Sequence, residues 1–272
     1  SPEVIEAMGI VDGCVGEIVA AMERRGIRDS FDIFAISDHG HSTVQAHNTL
    51  REYLAAAARD LGRELPPLAT ASDYIYAVPG TPEPSAAELA PLVEWLQAQD
   101  WCDIVMAGRE DMEALPGVLA LRCVWNGALT PRRPLLAVSP RWSNGRNEHG
   151  VPGTVAALTT QAALKSSHGS TSPYDMHALM IANGPRFRAG LVADLPTGAI
   201  DLTPTVLTLL GLPLPGHLDG RVLWEGLDAQ DGEPGDVSTE MLTPQVRATG
   251  REATLKLHRV GGTTYLHGSV SG

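Results

Sequence analysis

"FDIFAISDHGHST", residues 31–43, is an apolar run that stops at an aspartate, a histidine and a glycine. With apolar residues on both faces, 31–37 reads as a buried strand, of the kind that sits inside a parallel sheet covered by helices. Open α/β sheets place their sites beyond the carboxyl ends of such strands. Asp38 and His39 stand at that end, and a carboxylate beside an imidazole in one turn suits a shared ion. Oxygen-plus-nitrogen donors favour Zn2+, with Mn2+ as the harder alternative. Gly40 lets the chain turn away without crowding the ion. A lone Asp-His pair is more often a turn cap beside a surface histidine, so a second element is needed. "KSSHGSTSPYDMHALMIANGP", residues 165–185, supplies one: His168-Gly169 ahead of another apolar run.

Working outward, residues 3–25 predict an amphipathic helix. Val4, Met8, Val11, Val15, Ile18 and Met22 alternate spacings of four and three, as one buried face requires, and Gly26 stops it. "TLREYLAAAARDLG" is a second helix with Thr49 and Glu52 as a capping box and Gly62 behind it. "SAAELAPLVEWLQAQ" is a third, boxed by Ser85 and Glu88. "DYIYAVP" and "CDIVMAG" flank the third helix as strands, and "VLALRCVW" and "PLLAVSP" read as two more. Residues 140–170 are rich in Gly, Ser, Asn and Pro and read mostly as loop, with "TVAALTTQAAL" as a short helix inside them. "DLTPTVLTLLG" is a short helix with Asp201 or Thr203 near its cap, Pro204 at an early position and Gly211 behind it. "ATLKLHRVGGTTYLHGSV" alternates about Gly261-Gly262 as a closing hairpin, and the acidic tract 227–240 reads as an exposed loop.

The chain has 272 residues, enough for one large domain or two small ones, and an ordinary 43% of hydrophobic residues. Its net charge of −12 argues against a nucleic-acid surface or an affinity for anionic membrane. No apolar run approaches the roughly 18 residues of a membrane span. Cys14, Cys102 and Cys123 are odd in number and widely spaced, which argues against a disulfide framework and a cysteine-built zinc site.

The motifs together carry a resemblance. "SDHGHST" resembles the Ser-Asp-His-Gly signature of the type I phosphodiesterase/nucleotide pyrophosphatase family of the alkaline phosphatase superfamily. "HGSTSPYDMHALMIANGPRF" is similar to that family's His-Gly segment and the strand after it, and "DLTPTVLTLLGLPLPGHLDGRVL" to its following helix. "SPEVIEAMGIVDGCVGEIVAAMERRG" resembles the helix after its first histidine motif. The likeness spans roughly residues 1–224 in the family's order.

The resemblance implies a three-layer α/β/α fold with a largely parallel central sheet, a small α/β insert at about 63–150 and the C-terminal hairpin. It implies two divalent metal ions, most readily Zn2+, and a small phosphoester substrate. Asp38 and His39 would serve the ion that activates a Thr or Ser nucleophile, and His168 the ion that orients water. The reaction implied is in-line displacement at phosphorus through a covalent phospho-enzyme. The family's first aspartate, its nucleophile and its Asp…His pair have no counterpart in residues 1–272. The chain therefore reads as the C-terminal part of one catalytic domain, with three of six metal ligands, inactive alone. Ser37 and Ser170 are not substitutes for the nucleophile.

The remaining candidates are weaker. His41 either faces the site or lies in solvent. Tyr174 and Asp175 either line a substrate pocket or build a turn. Asn147 and His149 read as loop, Asp201 and Asp219 as structural, and His177, His217, His258 and His267 carry no motif. Tyr76, Trp125 and Trp142 offer an organic group a wall, though core packing is the commoner job of each. No arginine stands beside either motif, which favours diesters or pyrophosphate bonds over monoesters, whose extra charge calls for a strong cation. Rival readings are a phosphonate hydrolase, a sulfatase, a phosphomutase of the same superfamily, or a binding homologue without catalysis. No cysteine fits the formylglycine motif of a sulfatase.

Overall fold

The computed structural model describes residues 2–46, 48–125, 130–156, 165–228, 232–244 and 254–270. In chain order, α1 (Pro2–Arg24) leads to β1 (Ile33–Ile36), β2 (Ser42–Val44) and α2 (Leu50–Asp60). The hairpin β3 (Leu68–Ala71) and β4 (Tyr74–Ala77) follows, then α3 (Ala86–Ala98), β5 (Cys102–Ala107), α4 (Glu110–Glu113) and β6 (Val118–Ala120). After a 3₁₀ turn at Leu121–Cys123 come β7 (Leu136–Pro140), β8 (Trp142–Arg146), β9 (Pro152–Val155) and β10 (Ser166–Ser167). The chain closes with α5 (Pro173–Met176), β11 (Met180–Asn183), α6 (Leu202–Leu209), β12 (Val237–Leu242), β13 (Thr254–Val260) and β14 (Thr263–Val270). It is a mixed α/β protein with several sheets, and it divides into two compact units.

The first unit holds residues 1–38, 179–195 and 199–234. Its helix α1 lies within one residue of the expected bounds at each end, and Gly26 follows it at φ 65°. The buried face expected of it does not exist: no α1 residue is buried, and Val4, Met8 and Val11 lie in the open. The strands expected to be buried in a parallel sheet also differ. β1 and β11 form a two-stranded antiparallel pair, Ile33 opposite Asn183 and Ile36 opposite Met180, with Ile36 52% and Ile181 55% exposed. A continuous apolar run says that both faces are apolar; it carries no information on the direction of the partner strand. Arg186 pairs with Asp32 at 2.5 Å, just before β1 and thus at its opposite end from Asp38. Asp201 is structural and stands at the N-cap position of α6, but its side chain makes no cap hydrogen bond there. Its buried carboxylate accepts from the Arg221 backbone N–H at 2.8 Å and fixes the turn beyond α6.

The second unit holds residues 39–178, 196–198 and 235–272. Its centre is the five-stranded sheet β3-β4-β7-β5-β6. Both helices in front of it begin with the capping boxes read from sequence: Thr49 with Glu52, and Ser85 with Glu88. Each box satisfies backbone N–H groups that the first turn leaves without partners. Leu50, Leu54, Leu89, Leu92 and Leu96 of these helices pack on Ile75, Val105, Leu136 and Val138 of the sheet. Strand alternation sends Ile104, Met106 and Ala137 to the other face, where they meet Leu255 of β13. The layers of this unit are therefore helices, sheet and second sheet, the last being β12-β13-β14, in place of helices on both faces.

Parallel pairing is the exception: among the described residues only β5–β6 and β2–β9 run parallel. The tight β3–β4 and β13–β14 connections force antiparallel neighbours. The hairpin about Gly261-Gly262 forms as read, but residues 237–240 of the supposed loop are part of a third strand paired to it. Residues 140–170, expected to be loop, contain β8, β9 and β10 in a small sheet with β2. The short helix expected at 154–164 begins in β9 and otherwise lies outside the described residues.

Candidate metal centre

Two sequence-distant segments of the second unit meet around a group of imidazoles. The His39 and His168 rings stack with centroids 3.6 Å apart and planes 19° from parallel. His41 stands 5.0 Å from His39 and 5.3 Å from His168, so it faces the cluster although much of it is exposed. Asp38, exposed after β1, belongs to the first unit.

His39 Nδ1 lies 2.8 Å from the Gly40 carbonyl oxygen. A carbonyl only accepts, so Nδ1 carries the proton and the lone pair falls on Nε2, the nitrogen offered to a metal. Gly40 N–H donates to the Asp175 carbonyl at 2.8 Å. A Cβ on Gly40 would fall 2.0 Å from the Tyr174 carbonyl oxygen, so only glycine allows this approach.

Asp175, read from sequence as a pocket-lining or turn residue, has a role that the sequence reading did not foresee. Its carboxylate is buried and accepts from Ser42 Oγ at 2.6 Å, Ser170 Oγ at 2.5 Å and Ser170 N–H at 3.1 Å. Ser42 follows His39 by three positions and Ser170 follows His168 by two, so one carboxylate braces both histidine loops. The hydroxyls of "STS" at 170–172 are buried and need partners, but their burial is visible only in the fold.

Beside His168 is a hollow of about 10 Å³ lined by Asp73, Ser167, Ser170 and Asp175 among others. Burial pushes the Asp73 carboxyl up to about 7, opposed by a Ser72 hydrogen bond and helped by Asp175. Asp73 arrives on the β3–β4 turn, where Ser72 adopts φ 50°.

Tyr174 is a packing residue. Its ring meets Trp142 edge-on at 6.0 Å, and its hydroxyl donates to Asn144 at 2.8 Å. Trp142 is core, its Nε1–H bound to Ser269 Oγ at 2.7 Å. Asn147 organises the β8–β9 turn by accepting from the N–H groups of His149 and Val151. Three histidines without a motif also converge: His177 Nε2 is 3.3 Å from His267 Nδ1, and the His258 and His267 rings are 5.1 Å apart.

Imidazole nitrogens, as on His39 and His168, and carboxylates are donor types that a transition metal accepts. The rings stack side by side, and among the described residues no three His, Cys, Asp or Glu side chains are arranged to hold one ion. Residues 1–108 match the family model described as Type I phosphodiesterase / nucleotide pyrophosphatase, a family of the alkaline phosphatase superfamily. No curated protein matches the chain.

Proposed function

Taking that family match as the premise, we propose that this chain is the C-terminal part of a metal-dependent hydrolase of phosphodiester or nucleotide pyrophosphate bonds. The family is metal-dependent and acts on small phosphoesters. Asp38 and His39 would hold one ion and His168 the other. The observation that supports this most is the meeting of His39 and His168 from two separate motifs, with the His39 tautomer set by Gly40 to offer Nε2.

When bound, the ions would supply charge stabilisation on the phosphoryl oxygens and lower the pKa of water. The chain's own contribution is positional. Asp175 holds the loops of His39 and His168 in register through Ser42 and Ser170. Gly40 keeps the backbone against residues 174–177. The nucleophile and the other ligands belong, in this reading, to sequence preceding Ser1, and the 272-residue chain alone does not turn over.

The test is metal content of the complete gene product by elemental analysis, with Asp38→Ala/His39→Ala and with His168→Ala. Each variant should lose close to one equivalent of zinc. Two equivalents retained in either would overturn the assignment. Zinc-dependent hydrolysis of bis-(4-nitrophenyl) phosphate by residues 1–272 alone would overturn the C-terminal-part reading.

A further inference from the structure

The β3–β4 hairpin also borders a second cleft, of about 350 Å³, which shares no lining residue with the hollow beside His168. Tyr74 and Tyr76 leave one face of β4 while Ile75 between them is fully buried on the other. Their ring centroids are 6.4 Å apart and tilted by 60°. Trp125, after the 3₁₀ turn, and Arg132, Arg133 and Pro134, before β7, complete the walls. Burial, with smaller effects of Asp73 and Tyr76, pushes the Tyr74 phenol up, which marks this wall as partly dry.

Three aromatic faces alone would suit a cation. Two guanidiniums on the rim reverse that preference. Arg133 lies 3.4 Å from Glu83, which also takes Arg109 at 3.2 Å, so its charge is partly matched. The Arg132 guanidinium is exposed and makes no ion pair or hydrogen bond among the described residues. On a chain of net charge −12 this is a local positive rim over an aromatic floor. Its volume matches one ring system and is too small for a folded partner.

We propose that this cleft binds a planar aromatic anion, the ring on the Tyr74, Tyr76 and Trp125 wall and the anionic group on Arg132. The site does not depend on the metal centre or on the reaction assigned above.

The probe is 2-naphthalenesulfonate, which contains no phosphoester, titrated calorimetrically into the full chain. Neutral 2-naphthalenemethanol and cationic 2-naphthylmethylammonium serve as references. Saturable binding of the sulfonate is expected, about tenfold tighter than the alcohol, the value of one charge-assisted contact. Arg132→Gln should remove that tenfold advantage and leave the alcohol unchanged, and Arg132→Glu should favour the ammonium. Trp125→Ala should weaken all three. Melting temperatures of the variants, all at exposed positions, report that the fold is kept. No saturable sulfonate binding at millimolar concentration, equal affinity for the three probes, or indifference to Arg132→Gln with the fold intact would each overturn the proposal.

Discussion

The Ser42 hydroxyl donates to Oδ1 of Asp175 at 2.6 Å, and with it the turn that follows His39 is fixed to the helix that follows His168. Both groups are buried, Ser42 at 1% and Asp175 at 1% exposure. In a dry setting a hydroxyl–carboxylate bond is strong when made and costly when broken.

Asp175→Ala should therefore cost about 2–4 kcal/mol of stability, because Ser42 and Ser170 lose their buried acceptor. As a positioning residue it should also weaken zinc binding by the complete enzyme about 10–100-fold. Chemical denaturation and zinc titration check the two parts. Asp175→Asn, which keeps one acceptor oxygen, should recover part of the affinity; a purely structural role would restore stability alone.

Gly40→Ala places a methyl group 2.0 Å from the Tyr174 carbonyl oxygen. The backbone must move, at about 1–3 kcal/mol for the overpacking. The same shift loosens Gly40 N–H from the Asp175 carbonyl. Denaturation midpoints should fall, and zinc affinity should fall with them.

Diesters should be preferred to monoesters in the complete enzyme. Arg186, the nearest arginine beyond β11, is tied to Asp32 at 2.5 Å, which leaves it engaged away from Asp38. Comparing kcat/KM for bis- and mono-(4-nitrophenyl) phosphate decides the matter. A monoester preference of tenfold, about 1.4 kcal/mol of transition-state stabilisation, would reverse the assignment.

His267 should make the fold acid-sensitive. Burial first, then Lys256, His177 and His258, push its imidazole down to about 4. A group with a lowered folded pKa favours its neutral form in the fold. For this histidine the stabilisation is present above the ordinary value of 6.5 and is lost as pH falls from there towards 4. His267→Gln should flatten the decline in melting temperature over that window and change little at pH 8. An unchanged slope would show that the cluster of His177, His258 and His267 does not govern acid sensitivity.

Much of the local structure was legible. Thr49 and Glu52, and Ser85 and Glu88, announce helix starts because capping is a contact between residues three apart. Gly26, Gly62 and Gly211 mark helix ends because their left-handed backbone favours glycine. The β13–β14 hairpin follows from alternation about two glycines. In the candidate site, His39 and His168 were visible as the two His-Gly motifs, and the match over residues 1–108 agrees with the family read from them.

What the sequence determined by itself is therefore local: helix ends, hairpin turns and the two motifs, each set by contacts within a few residues. The tertiary structure alone decided the rest. It made the partner of β1 antiparallel, since an apolar strand gives no sign of its neighbour's direction. It left the apolar stripe of α1 open, since periodicity names a face without naming what covers it. It joined Asp175 to Ser42 and Ser170, because a buried carboxylate collects whichever hydroxyls the folded chain brings within reach, here one 5 positions away and one 133 positions away in sequence.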